Sequence, residues 1–355
     1  MLPFIAALVL HNGAHAQQTF DYGGVTRTYY LDAPEPIPEG APLVFVLHGY
    51  SSSAAVIRTY SGWGNLATSE GFVAVFPQGT PDEFGVPHWN ANLGNSTTND
   101  HGFLVALAQH LQETHGLSAE CTYSCGMSNG GFMSYSLACQ HPEVFSAIGS
   151  VTGSMSTVDF GCTPTVAVPI VHLHGTDDSV VGYESGTGGA WGTESVPNII
   201  AHWTGLMGTT TLEETPLPNQ EVLDLTSVDF LRYSGAPGGQ EFHHYRVNGG
   251  GHDWFGAWGS QDIESTEILW DFFQSACAGT FTGIESTPAA EDIVALQSRK
   301  VIALLPCTLA VYDALGRTVC TVALDAGESW TPPSSGLYLM HATNAAGDTQ
   351  VLKMM

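Results

Sequence analysis

The chain has 355 residues, enough for one large domain and a small one, and 43% of them are hydrophobic, which supports a real core. Its 34 acidic residues against 8 basic ones give a formal net charge of −26, and residues 17–280 hold four arginines and no lysine. A surface of that sign repels phosphate backbones and anionic lipid, which argues against nucleic acid as a partner.

Residues Leu2 to Leu10 are apolar and lead into Ala14-His15-Ala16 before Gln17, the pattern of a signal peptide over 1–16 with an A-x-A cleavage site, although the basic n-region is missing. This run is too short for a membrane span, and no other approaches about 18 uninterrupted apolar residues. A soluble, exported protein is expected. Seven cysteines fit an oxidising compartment, and their spacing matches no zinc pattern. Cys139 is expected to pair with Cys162, Cys307 and Cys320 to bridge neighbouring strands, and Cys125, buried in a strand, to stay free.

Taken in order, Thr26 to Leu31 alternates like a strand, and Leu43-Val44-Phe45-Val46-Leu47 is a continuous apolar run, as in a strand buried on both faces. Phe72 to Phe76 is a second such run. Asp100 to Gln112 reads as a helix, and Ser146 to Val151 and Val168 to Leu173 as strands. Ser195 to Met207 reads as a helix, His243 to Val247 as a late strand, and Ile263 to Ala276 as a closing helix. This alternation predicts an α/β fold, a mostly parallel sheet flanked by helices, over 17–278. Gly279 to Val294 reads as a linker. Short alternating runs over 295–355 predict a small all-β domain.

Between the apolar run ending at Cys125 and the helical pattern after Gly131 stands Gly126-Met127-Ser128-Asn129-Gly130. Strand, sharp turn and helix around G-x-S-x-G is the setting of a nucleophile elbow. Serine needs a base to take its proton, and the base needs a carboxylate to fix its tautomer. His252 follows three glycines after the late strand, and Asp177 or Asp178, with Asp178 favoured, follows the strand through His174. The order serine, aspartate, histidine is that of an α/β-hydrolase. Two backbone N–H groups should hold the oxyanion: that of Asn129, after the nucleophile, and that of Tyr50, in the loop after the first buried strand. His48, His172 and His174 are expected to be structural strand-end residues. Trp89, Tyr183 and Trp254, near strand ends, are candidates for substrate binding.

Residues 24–276 resemble the secreted polyhydroxybutyrate depolymerase and feruloyl esterase group of α/β-hydrolases, which is carbohydrate esterase family 1-like. The matching stretches are P-L-V-F-V-L-H-G at 42–49, S-G-W-G-N-L-A at 61–67, E-G-F-V-A-V-F-P-Q-G-T at 70–80, D-H-G-F at 100–103, G-M-S-N-G-G at 126–131, H-G-T-D-D at 174–178 and G-G-G-H-D-W at 249–254. The resemblance implies Ser128 as nucleophile, Asp178 as acid and His252 as base. Tyr50 after H-G, Ser179 and Gly182 depart from the group's pattern at the rim of the cleft. The tail resembles a type IX secretion sorting domain of the Bacteroidetes, through Val311-Tyr312-Asp313, Leu315-Gly316-Arg317, Ser335-Gly336-Leu337-Tyr338-Leu339 and Lys353. That implies contact with the secretion machinery and an extracellular or surface-attached protein.

The expectation is an exported serine esterase, polyhydroxyalkanoate depolymerase-like, needing no cofactor and no metal. The alternatives are a feruloyl or acetyl xylan esterase, a polyester hydrolase, and a catalytically silent surface-binding protein on the same fold.

Overall fold

Every residue of β3 (Leu43–Leu47) is buried, and the reason is that both faces of this strand are covered. Leu43, Phe45 and Leu47 enter one apolar core and Val44 and Val46 the other, so the continuous run is two alternating sets of side chains. The computed structural model describes residues 16–186 and 192–277, and then 294–297, 300–303, 306–313, 317–326, 328–331, 338–344 and 349–354. The expected leader and linker lie outside the described residues, apart from Ala16 and Val294. The chain divides into two units, Met1–Phe281 and Thr282–Met355.

In the first unit, the other strands among the described residues are β1 (Gln18–Tyr22), β2 (Val25–Asp32), β4 (Val73–Pro77), β5 (Thr122–Met127), β6 (Ala147–Val151), β7 (Ile170–Gly175), β8 (Thr211–Pro216), β9 (Ser227–Ser234) and β10 (Phe242–Asn248). They form one sheet in the order β1-β2-β4-β3-β5-β6-β7-β10-β9-β8. The run from β4 to β10 is parallel, and antiparallel strands extend it at both edges. Helices α1 (Ala54–Tyr60), α2 (Trp63–Glu70) and α6 (Ser265–Cys277) bury residues in one core, and α3 (Asp100–His115), α4 (Asn129–Gln140) and α5 (Val196–Met207) in the other. This is the α/β-hydrolase fold, with the carboxyl ends of the parallel strands at a single edge.

The sequence does not announce β1, α1, α2, β8 or β9. Helix α1 has seven residues and begins at a serine cap, Ser53, that stands in a serine run resembling a loop. Helix α2 carries Gly64 inside it and starts from Gly62 without a side-chain cap. Strand β8 is exposed at all six positions, so it has no buried period to read.

Two disulfides tie the first unit. Cys139–Cys162 joins the end of α4 to the following loop, as expected, with Cα atoms 5.9 Å apart. Cys121–Cys277, not anticipated, joins the start of β5 to the end of α6 across 156 residues. Cys125 is free and buried.

The second unit contains β11 (Val294–Gln297), β12 (Lys300–Ala303), β13 (Cys307–Asp313), β14 (Thr318–Leu324), β15 (Ser329–Trp330), β16 (Tyr338–Asn344) and β17 (Thr349–Met354) among its described residues. They form two antiparallel sheets, β11-β12-β15 and β14-β13-β16-β17. Leu309, Val311, Leu324, Met340 and Ala342 fill its core. The expected Cys307–Cys320 bridge is absent, and both thiols are free. The register explains it: Cys307 lies opposite Leu324 and Cys320 opposite Val311. Four positions of offset are about 13 Å of strand, well beyond disulfide reach. Of the sorting-domain motif, residues 315–316 and 335–337 lie outside the described residues.

Candidate active site

Strand β5 ends at Met127, and Ser128 turns the chain with φ 53° and ψ −119°. A non-glycine residue held there costs on the order of 1–3 kcal/mol, so its surroundings must fix it. They do so on both sides. The Ser128 N–H donates to Val151 O of β6 at 2.9 Å, and the Ser128 carbonyl accepts the Phe132 N–H at 2.9 Å as α4 begins. A Cβ on Gly126 or Gly130 would collide with the Leu47 carbonyl, which is the physical reason for glycine on each side of the elbow. Ser128 stays partly exposed while the rest of β5 and the first residues of α4 are buried.

The loop after β3 passes beside this turn. A Cβ on Gly49 would stand 3.6 Å from Ser128 Cβ, so Tyr50 follows directly from a residue in contact with the elbow. The Tyr50 hydroxyl donates to Asp82 Oδ2 at 2.8 Å, and Asp82 Oδ1 accepts the N–H groups of Phe84 and Val86 at 2.9 Å each. His48 braces the same loop. Its Nδ1 donates to Gly49 O at 2.8 Å and its Nε2 accepts the Gly79 N–H at 3.0 Å. Burial pushes its pKa down to about 4, so it stays neutral.

Asn129 opens α4 and its side chain clasps the backbone of Trp89: Oδ1 accepts the Trp89 N–H at 2.6 Å and Nδ2 donates to Trp89 O at 3.0 Å. This corrects the expectation for Trp89. Its indole is fully buried, donates to His48 O at 3.0 Å and lies against the His48 ring, so it is core and does not face substrate. Trp254 is corrected likewise: it is 1% exposed and donates to Thr266 Oγ1. Tyr183 is buried, with its hydroxyl 2.8 Å from His244 Nε2, and it lines a groove of about 560 Å³ with Thr176, Leu231 and Arg246.

Asp178 follows β7 and His252 follows β10, the neighbouring parallel strand. Asp177 N–H donates to Gly250 O and Gly249 N–H to Thr176 Oγ1, both at 2.9 Å, so the two loops are stitched together. His252 Nδ1 lies 2.7 Å from Asp178 Oδ2, and Asp178 Oδ1 accepts the N–H groups of Val180 and Val181 at 2.8 Å each. Burial alone would raise the Asp178 pKa. The hydrogen bonds from His174, His252 and Val181 outweigh it and hold the carboxyl well below the usual range. Asp177, by contrast, is exposed, and its carboxylate accepts from Thr176 of its own loop. With Nδ1 donating to the carboxylate, the imidazole presents a lone pair at Nε2, the form a general base needs.

Two aromatics at this edge were not anticipated. The Tyr60 hydroxyl donates to Met127 Sδ at 3.4 Å, one residue before Ser128, and Trp258, 36% exposed, packs edge-on against Tyr60 at 4.6 Å. Trp258 stands six residues past His252, in the same loop, and that spacing was the available signal. Among the described residues no cluster of three or more histidine, cysteine or carboxylate side chains has metal-binding geometry, and no helix is long and apolar enough to cross a membrane.

A model of the family described as Esterase PHB depolymerase matches residues 26–171. The chain is similar to the putative esterase NocK of Nocardia uniformis subsp. tsuyamanensis, at 29% identity over 158 residues, covering 44% of this chain and 46% of that protein. It is similar to the poly(3-hydroxybutyrate) depolymerase of Ralstonia pickettii at 30% identity, covering 42% of this chain and 34% of the other. Feruloyl esterase B of Piromyces equi is 25% identical, covering 60% and 40% respectively. The chain thus spans less than half the length of these relatives. Among solved structures, the acetyl xylan esterase from Aspergillus awamori superimposes with a TM-score of 0.50 at 15% identity, covering 73% of this chain and 99% of that one. That likeness is one of fold, and it is the α/β-hydrolase fold that the strand order and the elbow display.

Proposed function

We propose that the protein is a serine esterase that hydrolyses carboxylic esters through an acyl-enzyme. The observation that carries this reading is the 2.7 Å bond from His252 Nδ1 to Asp178 Oδ2, on the sheet edge where Ser128 is held at positive φ. In the proposed cycle Ser128 Oγ attacks the ester carbonyl carbon as His252 Nε2 takes its proton. The N–H groups of Asn129 and Tyr50 hold the oxyanion. Collapse expels the alcohol, which takes the proton from His252. Water then attacks the acyl-enzyme, again giving its proton to His252, and the acid leaves as Ser128 regains a proton.

Asp178 stays ionised throughout the working pH range on this reading, so its own titration does not set the acid limb of activity. Ser128→Ala is expected to lower turnover of a p-nitrophenyl ester on the order of 10⁶-fold and to abolish fluorophosphonate labelling. Full turnover by that variant would sink the mechanism. A wild type that takes no label and turns over no ester would instead support the surface-binding alternative.

The substrate class we favour is the hydroxyalkanoate polyester, supported by the family model over 26–171. A second reading, an esterase of feruloylated or acetylated polysaccharide, is supported by relatives of that name. Turnover compared on polyhydroxybutyrate film, methyl ferulate and acetylated xylan separates the two. The two disulfides support an oxidising, exported location, and we read the second unit as the sorting domain. Deleting residues 282–355 is then expected to leave the chain in the periplasm on fractionation.

A further inference from the structure

Behind the Asp178 carboxylate stands a row of buried side chains that ester hydrolysis does not by itself require. The Tyr135 hydroxyl, on α4, lies 2.7 Å from His172 Nδ1, and His172 Nε2 lies 3.0 Å from His174 Nδ1. His174 Nε2 lies 2.8 Å from Val181 O and 3.4 Å from Asp178 Oδ2. Tyr135, His172 and His174 are all fully buried.

The chemistry of the partners orients this row. A carbonyl and a carboxylate only accept, so His174 Nε2 must carry a hydrogen. If each ring holds one proton, His174 Nδ1 accepts, His172 Nε2 donates to it, and His172 Nδ1 accepts from the Tyr135 hydroxyl. Reversing the row would put a second proton, and a full charge, on His174 in a fully buried place. A second imidazole is oriented in the same way. His244 Nδ1 lies 3.0 Å from His172 O and must donate, so its Nε2 accepts from the Tyr183 hydroxyl at 2.8 Å.

We propose that His174, held in one tautomer by His172 and Tyr135, is a positioning residue for the triad carboxylate. Its Nε2–H donates to Val181 O and stands 3.4 Å from Asp178 Oδ2, the same oxygen that His252 faces, so it bears directly on the charge there. This rests on the Ser128–His252–Asp178 reading and adds a member behind it. The groups facing this part of the site are His252 from the loop after β10, His244 and Arg246 on β10, Tyr135 on α4, and Tyr183 and Glu184 in the loop after β7.

The test combines two variants with the native protein. His174→Leu removes the donor and His174→Gln retains an N–H at similar reach. With p-nitrophenyl acetate, the leucine variant is expected to lose about 10–100-fold in kcat at little changed KM, by analogy with the loss of an outer hydrogen-bond partner behind a metal ligand. Its acid limb should move to higher pH, because the Asp178 carboxylate has lost one of the groups that share its charge. The glutamine variant should recover most of both. In the native protein, nitrogen-15 histidine spectra should show His172 and His174 protonated at Nε2 and His244 at Nδ1.

Wild-type rate and limb in His174→Leu would overturn the proposal, as would equal loss in both variants with an unmoved limb, which is packing alone. A native His174 found protonated at Nδ1 would also overturn it, and this readout stands even where the leucine variant fails to fold. Ser128→Ala distinguishes the layers. If it retains turnover, the triad reading falls with everything built on it. If it is inactive while His174→Leu is unaffected, only the positioning role falls.

Discussion

On the side of the proposed nucleophile, at the ends of β3 and β5, the site is shaped by backbone. Ser128 sits at positive φ, Gly126 and Gly130 press against the Leu47 carbonyl, and Gly49 lies against the elbow. On the acid and base side, at the ends of β7 and β10, it is shaped by side chains: Asp178 is surrounded by His174, His252 and two N–H groups, with His172, Tyr135 and His244 behind. On the first side there is no room for an added atom at Gly126 or Gly130. The second is open at Gly251, though not at Gly175, and depends on where each hydrogen sits. The first should therefore fail mainly to changes of volume at the elbow, and the second mainly to changes of proton.

The sharpest break is Asp178→Asn, which alters protons and leaves volume alone. Val180 and Val181 would keep the amide oxygen, so the NH₂ group would face His252 Nδ1. His252 must then accept at Nδ1 and carry its hydrogen on Nε2, where it cannot take the serine proton. A loss on the order of 10⁴-fold in kcat is expected, with thermal stability near wild type. A loss under tenfold would mean that this carboxylate does not set the tautomer.

The converse test adds volume on the nucleophile side. In Gly130→Ala the methyl group would meet the main chain at Leu47 and His48, and main chain cannot step aside. About 3 kcal/mol of stability should be lost, the upper part of the range for overpacking, and activity should fall with the displaced elbow. On the other side, a Cβ on Gly251 would meet only the end of the Asp253 side chain, at 3.1 Å. Gly251→Ala should therefore retain stability within about 1 kcal/mol. Denaturant titration of both variants checks this, and equal damage would erase the contrast between the sides.

Acid should act mainly through the buried histidines. Burial lowers the His244 pKa to about 3 and that of His48 to about 4, from 6.5, and holds His172 well below its ordinary value. Because the folded values are depressed, their contribution to stability is fully present above about pH 6.5. It is lost as pH falls, since the unfolded chain takes up protons that the folded one refuses. Each such histidine should cost about 1 kcal/mol per pH unit below about pH 6, and two of the three belong to the acid side. Asp178 adds its own loss only below about pH 4. Chemical denaturation from pH 7 to 4.5 should show the slope, and His244→Gln should make it shallower. A flat profile would mean that these rings are protonated in the folded state.

Most of this architecture was legible because both-face burial leaves continuous apolar runs: β3, β4 and β7 stand out as such. The positive-φ turn at Ser128 and the Asp178–His252 contact were legible because glycines and strand ends mark their positions. The side chains behind them were not. His172 and His174 read as strand residues, and what makes them distinctive is a row of contacts reaching α4, 37 residues back in the chain. Trp89 and Trp254 were misread because a strand-end tryptophan looks the same in sequence whether its indole turns outward or, as here, donates into the core. The Cys121–Cys277 bridge was hidden by its 156-residue span, and the Cys307–Cys320 pairing failed on register, which spacing alone does not fix.

Asn129 sits where the two materials meet, because it lends a backbone N–H to the proposed oxyanion site and a side chain to the Trp89 clasp. In Asn129→Ala the N–H remains while the clasp goes, leaving the buried Trp89 N–H and carbonyl without that partner. The expected cost is about 2 kcal/mol of stability, the penalty of leaving such groups unmade. Activity should fall by less, about threefold to tenfold, since the donor to the oxyanion is main chain and the positive-φ turn is held by Gly126, Gly130 and Val151. Steady-state kinetics beside a melt decide it. A loss of 10²-fold or more with an unchanged melt would put the amide side chain itself in the reaction, and the nucleophile side would then be built of side chains after all.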